Sequence, residues 1–178
     1  MIFFRVHTAR LKYQRGDETF LLFGKLKAFF SAPVNELSGM TVNLKDVDQW
    51  MSEVLSDPPT FRHLDEALRY FFNQLKKKSP LFSRAEITLG SVLSAFDGSE
   101  YSRTYRLRTW FRQGQTWVQR PLMMKSKKPL SKQFRFHLRQ KKWSSTQTFA
   151  KLLKTHLPGL QVLEIQNPDW KGSEKFHF

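Results

Sequence analysis

Residues 3–30 read FFRVHTARLKYQRGDETFLLFGKLKAFF. Two strand-forming runs, Phe3 to Tyr13 and Thr19 to Phe30, flank Arg15-Gly16-Asp17, which has the composition of a tight turn. They predict a long antiparallel hairpin. Beyond it, Asn43 is placed to cap a helix from Leu44, in which Leu44, Val47, Met51, Val54 and Leu55 recur at helical spacing until Asp57-Pro58-Pro59. A second helix is expected from about Thr60, with Phe61, Leu64, Leu68, Phe71 and Leu75 on one stripe and His63 on its surface. Lys76-Lys77-Lys78 lie at its C-terminal end, where cations oppose the helix dipole. Ala85 to Leu89 follows as a short strand, and Asp97-Gly98-Ser99 marks a break.

The second half repeats part of this order. Thr8 to Leu11, Gly16 and Thr19 to Leu21 correspond to Thr104 to Leu107, Gly114 and Thr116 to Val118, at an offset near 97. Either the chain is a degenerate tandem repeat or two hairpins resemble each other, as hairpins do. Further on, Phe134, Phe136 and Leu138 alternate with Gln133, Arg135 and His137, the period of a strand. A helix capped by Ser144 or Ser145 then carries Phe149, Leu152, Leu153 and Leu157 inward as far as Pro158, and a strand runs from Leu160 to Ile165. The outline is ββααβ over 1–100 and ββ(β)αβ over 101–178, packed as one unit. It predicts an α+β fold, an antiparallel sheet with helices on one face.

Composition sets the remaining bounds. The chain has 178 residues, of which 40% are hydrophobic, so it has material for a core. It has no cysteine, which excludes disulfides, thiolate metal sites and a cysteine nucleophile, and cytoplasm is the expected compartment. Met1-Ile2-Phe3-Phe4 is broken by Arg5, His7 and Arg10, so neither a signal segment nor a membrane association is expected.

Charge is the strongest asymmetry. Residues 1–100 hold 13 basic and 12 acidic side chains, whereas 101–178 hold 17 and 3. A surface that gathers one sign of charge repels itself unless a partner of opposite sign covers it. The expected partner is a polyanion, nucleic acid first and an acidic protein as the rival. Arg106 and Arg108 alternate with Tyr105, Leu107 and Thr109, so one strand face is basic while the other packs. Trp110 and Trp143 interleave with Arg103, Arg112, Arg120, Arg135 and Arg139, the mixture that stacks bases and binds phosphates. Met123 to Pro129, carrying Lys125, Lys127 and Lys128, reads as an exposed basic loop; Lys132 follows, and Lys141-Lys142 form another cluster. No named nucleic-acid module, P-loop or dinucleotide glycine pattern is present.

The segment Ala32-Pro33-Val34-Asn35-Glu36-Leu37-Ser38-Gly39-Met40-Thr41-Val42-Asn43-Leu44 resembles the turn that leads into the first helix of the 6-pyruvoyl and 6-carboxy tetrahydropterin synthases. A second stretch, Ser145 to Leu153 and then Leu157-Pro158-Gly159-Leu160 to Glu164, resembles that family's second helix and third strand. The resemblance implies a T-fold, a ββααββ unit that assembles into a barrel as a homo- or hetero-oligomer. It also implies a zinc enzyme, but the residues depart from that chemistry. Phe20-Leu21-Leu22 stand where the family has His-Gly-His, the third histidine would fall near Ala9, and the Asp-His pair is missing. No metal, cofactor or catalytic residue is therefore expected; a pseudoenzyme acting by binding or assembly is the first reading, a nucleic-acid-binding protein its rival, and an active synthase-type lyase with another metal arrangement the weakest. Glu164 matches the glutamate with which the family grips a pterin ring. It is read as sharing a face with Leu160 and Val162, and either accepts paired N–H bonds from a purine- or pterin-like ring or salt-bridges an arginine.

Overall fold

The computed structural model describes residues 2–31 and 42–178. The resembling turn from Ala32 to Thr41 lies outside the described residues. The chain divides into two compact units, Met1–Tyr101 and Ser102–Phe178.

In unit 1 the hairpin forms as β1 (Ile2–Arg15) and β2 (Glu18–Ser31), paired without interruption from Ile2↔Ser31 to Arg15↔Glu18. Its two-residue turn needs a left-handed first residue, which Gly16 supplies at φ 61°. Helix α1 (Leu44–Ser56) starts on Asn43, whose side chain accepts the Lys45 N–H at 3.0 Å. The second helix starts later than its apolar stripe suggests. Thr60–Phe61 form a short strand, β3, parallel to β1 through Lys12↔Thr60 and Tyr13↔Phe61. Helix α2 is Leu64–Lys78, and His63 is its N-cap residue in extended backbone, not a helical one. The third long strand, β4 (Phe82–Leu89), is longer than expected and turns at Gly90 into β5 (Val92–Phe96), a strand that the sequence pattern does not announce. The sheet order within the unit is β5-β4-β2-β1-β3. Val47, Met51, Leu68, Phe71 and Leu75 from the helices meet Ala9, Leu26, Phe30 and Phe82 from the sheet, all essentially without solvent exposure. At about 25 cal/mol per Å² of apolar surface, this layer is the main source of the unit's stability.

Unit 2 repeats the plan. Strands β6 (Tyr101–Gln113) and β7 (Thr116–Ser126) form the hairpin; β6 begins at the last residue of unit 1. Residues 132–140, expected as a strand, form helix α3 (Lys132–Gln140), with the Ser131 hydroxyl capping Phe134 N–H at 3.1 Å. A short strand β8 (Lys142–Trp143) lies parallel to β6, and α4 (Thr146–His156) is capped by Ser145. Strands β9 (Leu160–Gln166) and β10 (Ser173–His177) complete the order β10-β9-β7-β6-β8. Thus each unit has two long strands, a helix, a two-residue parallel strand, a helix and a final hairpin. This is α+β with the T-fold-like ββααββ order, helices on one face of antiparallel sheet.

The correspondence extends to register. Gly16 and Gly114 occupy equivalent turns 98 residues apart, with φ 61° and 62°. The same offset carries Lys25, opposite Thr88, onto Met123, opposite Glu164. Residues 123–126, expected as loop, are thus the end of a strand, with Met124 and Ser126 buried.

Candidate nucleic-acid interface

On β6, Tyr105, Leu107 and Thr109 are buried, and the Thr109 hydroxyl donates to the α3 carbonyl of Leu138 at 2.5 Å. Strand alternation then sends Arg106 and Arg108 to the opposite face, where both are exposed. Register places Met123 and Glu164 beside Arg106 in one cross-strand row, and Pro121 beside Arg108. With Trp110, Gln119 and Gln166 these residues line an open basin of about 890 Å³. Arg139 and Gln140 reach its lining from α3, and Trp170 from the β9–β10 turn.

Glu164 is the basin's one carboxylate, and its position corrects the parity read from the sequence. The β7–β9 ladder shifts register between Lys125, opposite Val162, and Ser126, opposite Leu160, so Gln161 is an extra residue. Leu160, Leu163 and Ile165 all turn inward as a result, and Glu164 shares the basin face with Val162. Its Oε1 accepts the Ser173 hydroxyl at 2.8 Å and a longer bond from Gln166 Nε2 at 3.4 Å. Its Oε2 lies 3.7 Å from Lys175 Nζ, an ion pair across β9 and β10.

The other candidates divide by burial. Arg103 is buried, and its guanidinium donates to the Lys127 carbonyl at 2.7 Å. Arg120 is buried beneath Phe111 and donates to Gln166 O at 2.6 Å, Asn167 Oδ1 at 3.0 Å and Glu174 Oε1 at 3.3 Å. Trp143 packs on Phe149 in the core, its indole N–H bonded to Thr109 Oγ1 at 3.2 Å. These three hold the fold. Arg135 lies over the Tyr105 ring, half-buried; Lys141 and Lys142 lie over the rings of Trp143 and Trp117. Arg112 donates to the Gly114 carbonyl at the hairpin turn. Lys125, Lys127, Lys128 and Lys132 are exposed outside the basin lining. The basin therefore joins Arg106, Arg108, Trp110, Arg139 and Glu164 out of the longer set.

Trp170 is an addition to that set. The only sequence signal for it is the turn chemistry of Asn167-Pro168-Asp169-Trp170-Lys171-Gly172, which predicts an exposed tip without saying which cavity it borders. No group of three or more His, Cys, Asp or Glu side chains that would hold a metal ion exists among the described residues. Phe20 and Leu21, at the zinc-binding positions of the resemblance, are exposed apolar residues of β2 in unit 1. Among the described residues no helix is long and apolar enough to cross a membrane.

No protein-family model matches the chain. No curated protein matches it either. Among solved structures it is similar to 6-pyruvoyl tetrahydropterin synthase of Caenorhabditis elegans, at 15% identity and a TM-score of 0.49, over 56% of this chain and 96% of that one.

Proposed function

We propose that this protein acts by binding, without synthase chemistry, and that unit 2 takes a polyanion, single-stranded RNA or DNA, on the face carrying Arg106 and Arg108. One observation carries the reading: three arginines and two tryptophans line the same open basin. Arginines grip phosphate with paired N–H donors, and indole faces stack any unpaired base, so together they suit a single strand better than a closed duplex. The surplus charge of residues 101–178 supports the same partner, since counterions released from phosphate drive such association. Loss of synthase chemistry is supported by the absence of cysteine and by Phe20-Leu21-Leu22 at the ligand positions.

The test is binding of a single-stranded oligonucleotide across a salt series. Changing Arg106 and Arg108 together to Gln should weaken binding and flatten the slope of log K against log salt by about 1.4, which is about 0.7 for each phosphate no longer neutralised. Changing Lys76, Lys77 and Lys78 to Gln should do much less. No binding by the unmodified protein at ~50 mM salt, where phosphate binding is strongest, removes the nucleic-acid reading and leaves an acidic protein as partner.

A further inference from the structure

Trp170 is the one described non-glycine residue with a positive φ, 61°. For a bulky side chain this conformation costs about 1–3 kcal/mol and persists only where its surroundings enforce it. Here they do. Asn167 accepts from the buried Arg120 at 3.0 Å and donates through Nδ2 to the Lys171 carbonyl at 3.0 Å. Its main chain closes the same turn, with Asn167 N bonded to Gly172 O and Trp170 N to Asn167 O, both at 3.0 Å. Asp169 Oδ1 caps Lys171 N–H, also at 3.0 Å. A turn anchored at both ends of one side chain thus holds an indole that is 65% exposed, at the border of a basin lined also by Trp110. Burial of the ring does not compensate its backbone strain.

We infer that Trp170 and Trp110 form a seat for one unstacked base of a single strand, with the adjoining phosphates on Arg106 and Arg108. This rests on the nucleic-acid reading above and adds to it a stacking position, distinct from the charged groups. Indole faces contribute to binding through the ring of the base and arginines through the phosphate. Removing the one should therefore leave the salt dependence set by the other untouched.

The experiment compares two probes of equal charge: a single-stranded DNA of about twelve nucleotides, within the span such surfaces cover, and an abasic sugar-phosphate oligomer of the same length. Trp170→Gly removes the ring and relieves the backbone, because glycine takes this φ without a Cβ clash. The expected result is about tenfold weaker binding to the DNA, unchanged binding to the abasic oligomer, an unchanged salt slope, and a thermal midpoint at or above that of the parent. Equal loss on both probes, no loss on either, or a lowered midpoint would overturn the base seat. If the parent protein binds both probes equally and Arg106→Gln with Arg108→Gln weakens both, the polyanion reading stands and the seat alone falls. If the parent binds neither at ~50 mM salt, both fall together.

Discussion

Phe61 and Trp143 are structural counterparts. Each is the buried second residue of a two-residue strand laid parallel beside the first strand of its unit, Phe61 opposite Tyr13 and Trp143 opposite Phe111. Each plugs the sheet where it meets the helices, Phe61 against Phe71 of α2 and Trp143 against Phe149 of α4. Trp143 adds an indole N–H that Thr109 Oγ1 accepts, so a tryptophan that reads in sequence as a stacking surface is a core residue.

Trp143→Phe should keep the packing and lose that bond, at a cost of about 1 kcal/mol, while oligonucleotide affinity stays within error of the parent. Trp143→Ala should cost about 3–5 kcal/mol. Urea denaturation measures both, and a large affinity loss in the Phe variant would return Trp143 to the binding surface.

Arg120 is the second test of burial against surface charge. Its guanidinium satisfies Gln166 O, Asn167 Oδ1 and Glu174, and Glu174 in turn accepts the Thr146 hydroxyl at 2.6 Å. Arg120→Met should destabilise the protein by about 2 kcal/mol, since it leaves those acceptors unmatched. The salt slope of nucleic-acid binding should not change, in contrast to Arg106→Gln.

Gly24 sits where β2 passes β4. A Cβ there would lie 2.5 Å from the Thr88 carbonyl oxygen and 2.6 Å from Leu89 Cδ2. Gly24→Ala must part the strands or displace Leu89, at about 1–3 kcal/mol, and a lower denaturation midpoint is the expected reading. An unchanged midpoint would mean that this strand pair moves apart at no cost.

Asp97 gives the clearest dependence on pH. Main-chain N–H groups of Glu100 and Ser99, with the Ser99 hydroxyl, hold its carboxyl below the usual carboxylate range. A depressed folded pKa means stabilisation that is complete above the unfolded value of about 4 and is lost as pH falls through the folded value. Asp97→Asn should therefore lower the thermal midpoint at pH 7, and the gap from the parent should close in acid. A gap that does not narrow as pH falls below about 4, the unfolded value, would assign the effect to turn geometry instead of ionisation.

Both long hairpins are legible in the sequence because each combines alternating strand residues with a turn glycine, Gly16 or Gly114. Residues 132–140 are not, because a nine-residue helix with one buried anchor, Leu138, leaves no helical period to read. Phe136, 64% exposed, completes a false alternation. Parity counted from Leu160 puts Glu164 on the wrong face, because it fails across the extra residue at Gln161, which no local pattern announces. Arg106 and Arg108 are legible as an exposed pair from the Tyr105, Leu107 and Thr109 that alternate with them. Arg103 and Arg120 share the parity of the buried Tyr105 and Leu122, so alternation turns them inward, and bonds to Lys127, Gln166 and Glu174 satisfy them there.

Two copies of one topology, in matching register, carry very different charge: the sequence is nearly neutral up to residue 100 and holds 17 basic against 3 acidic side chains from 101 on. Backbone plan and surface charge are therefore separable variables in this molecule. Arg106 can be altered toward its counterpart Thr8 without asking the strands to change partners, whereas Arg108 already matches an arginine, Arg10, in unit 1. Unit 1 thus serves as an internal reference, a folded surface of like architecture against which any affinity measured for unit 2 can be read as the work of side chains alone.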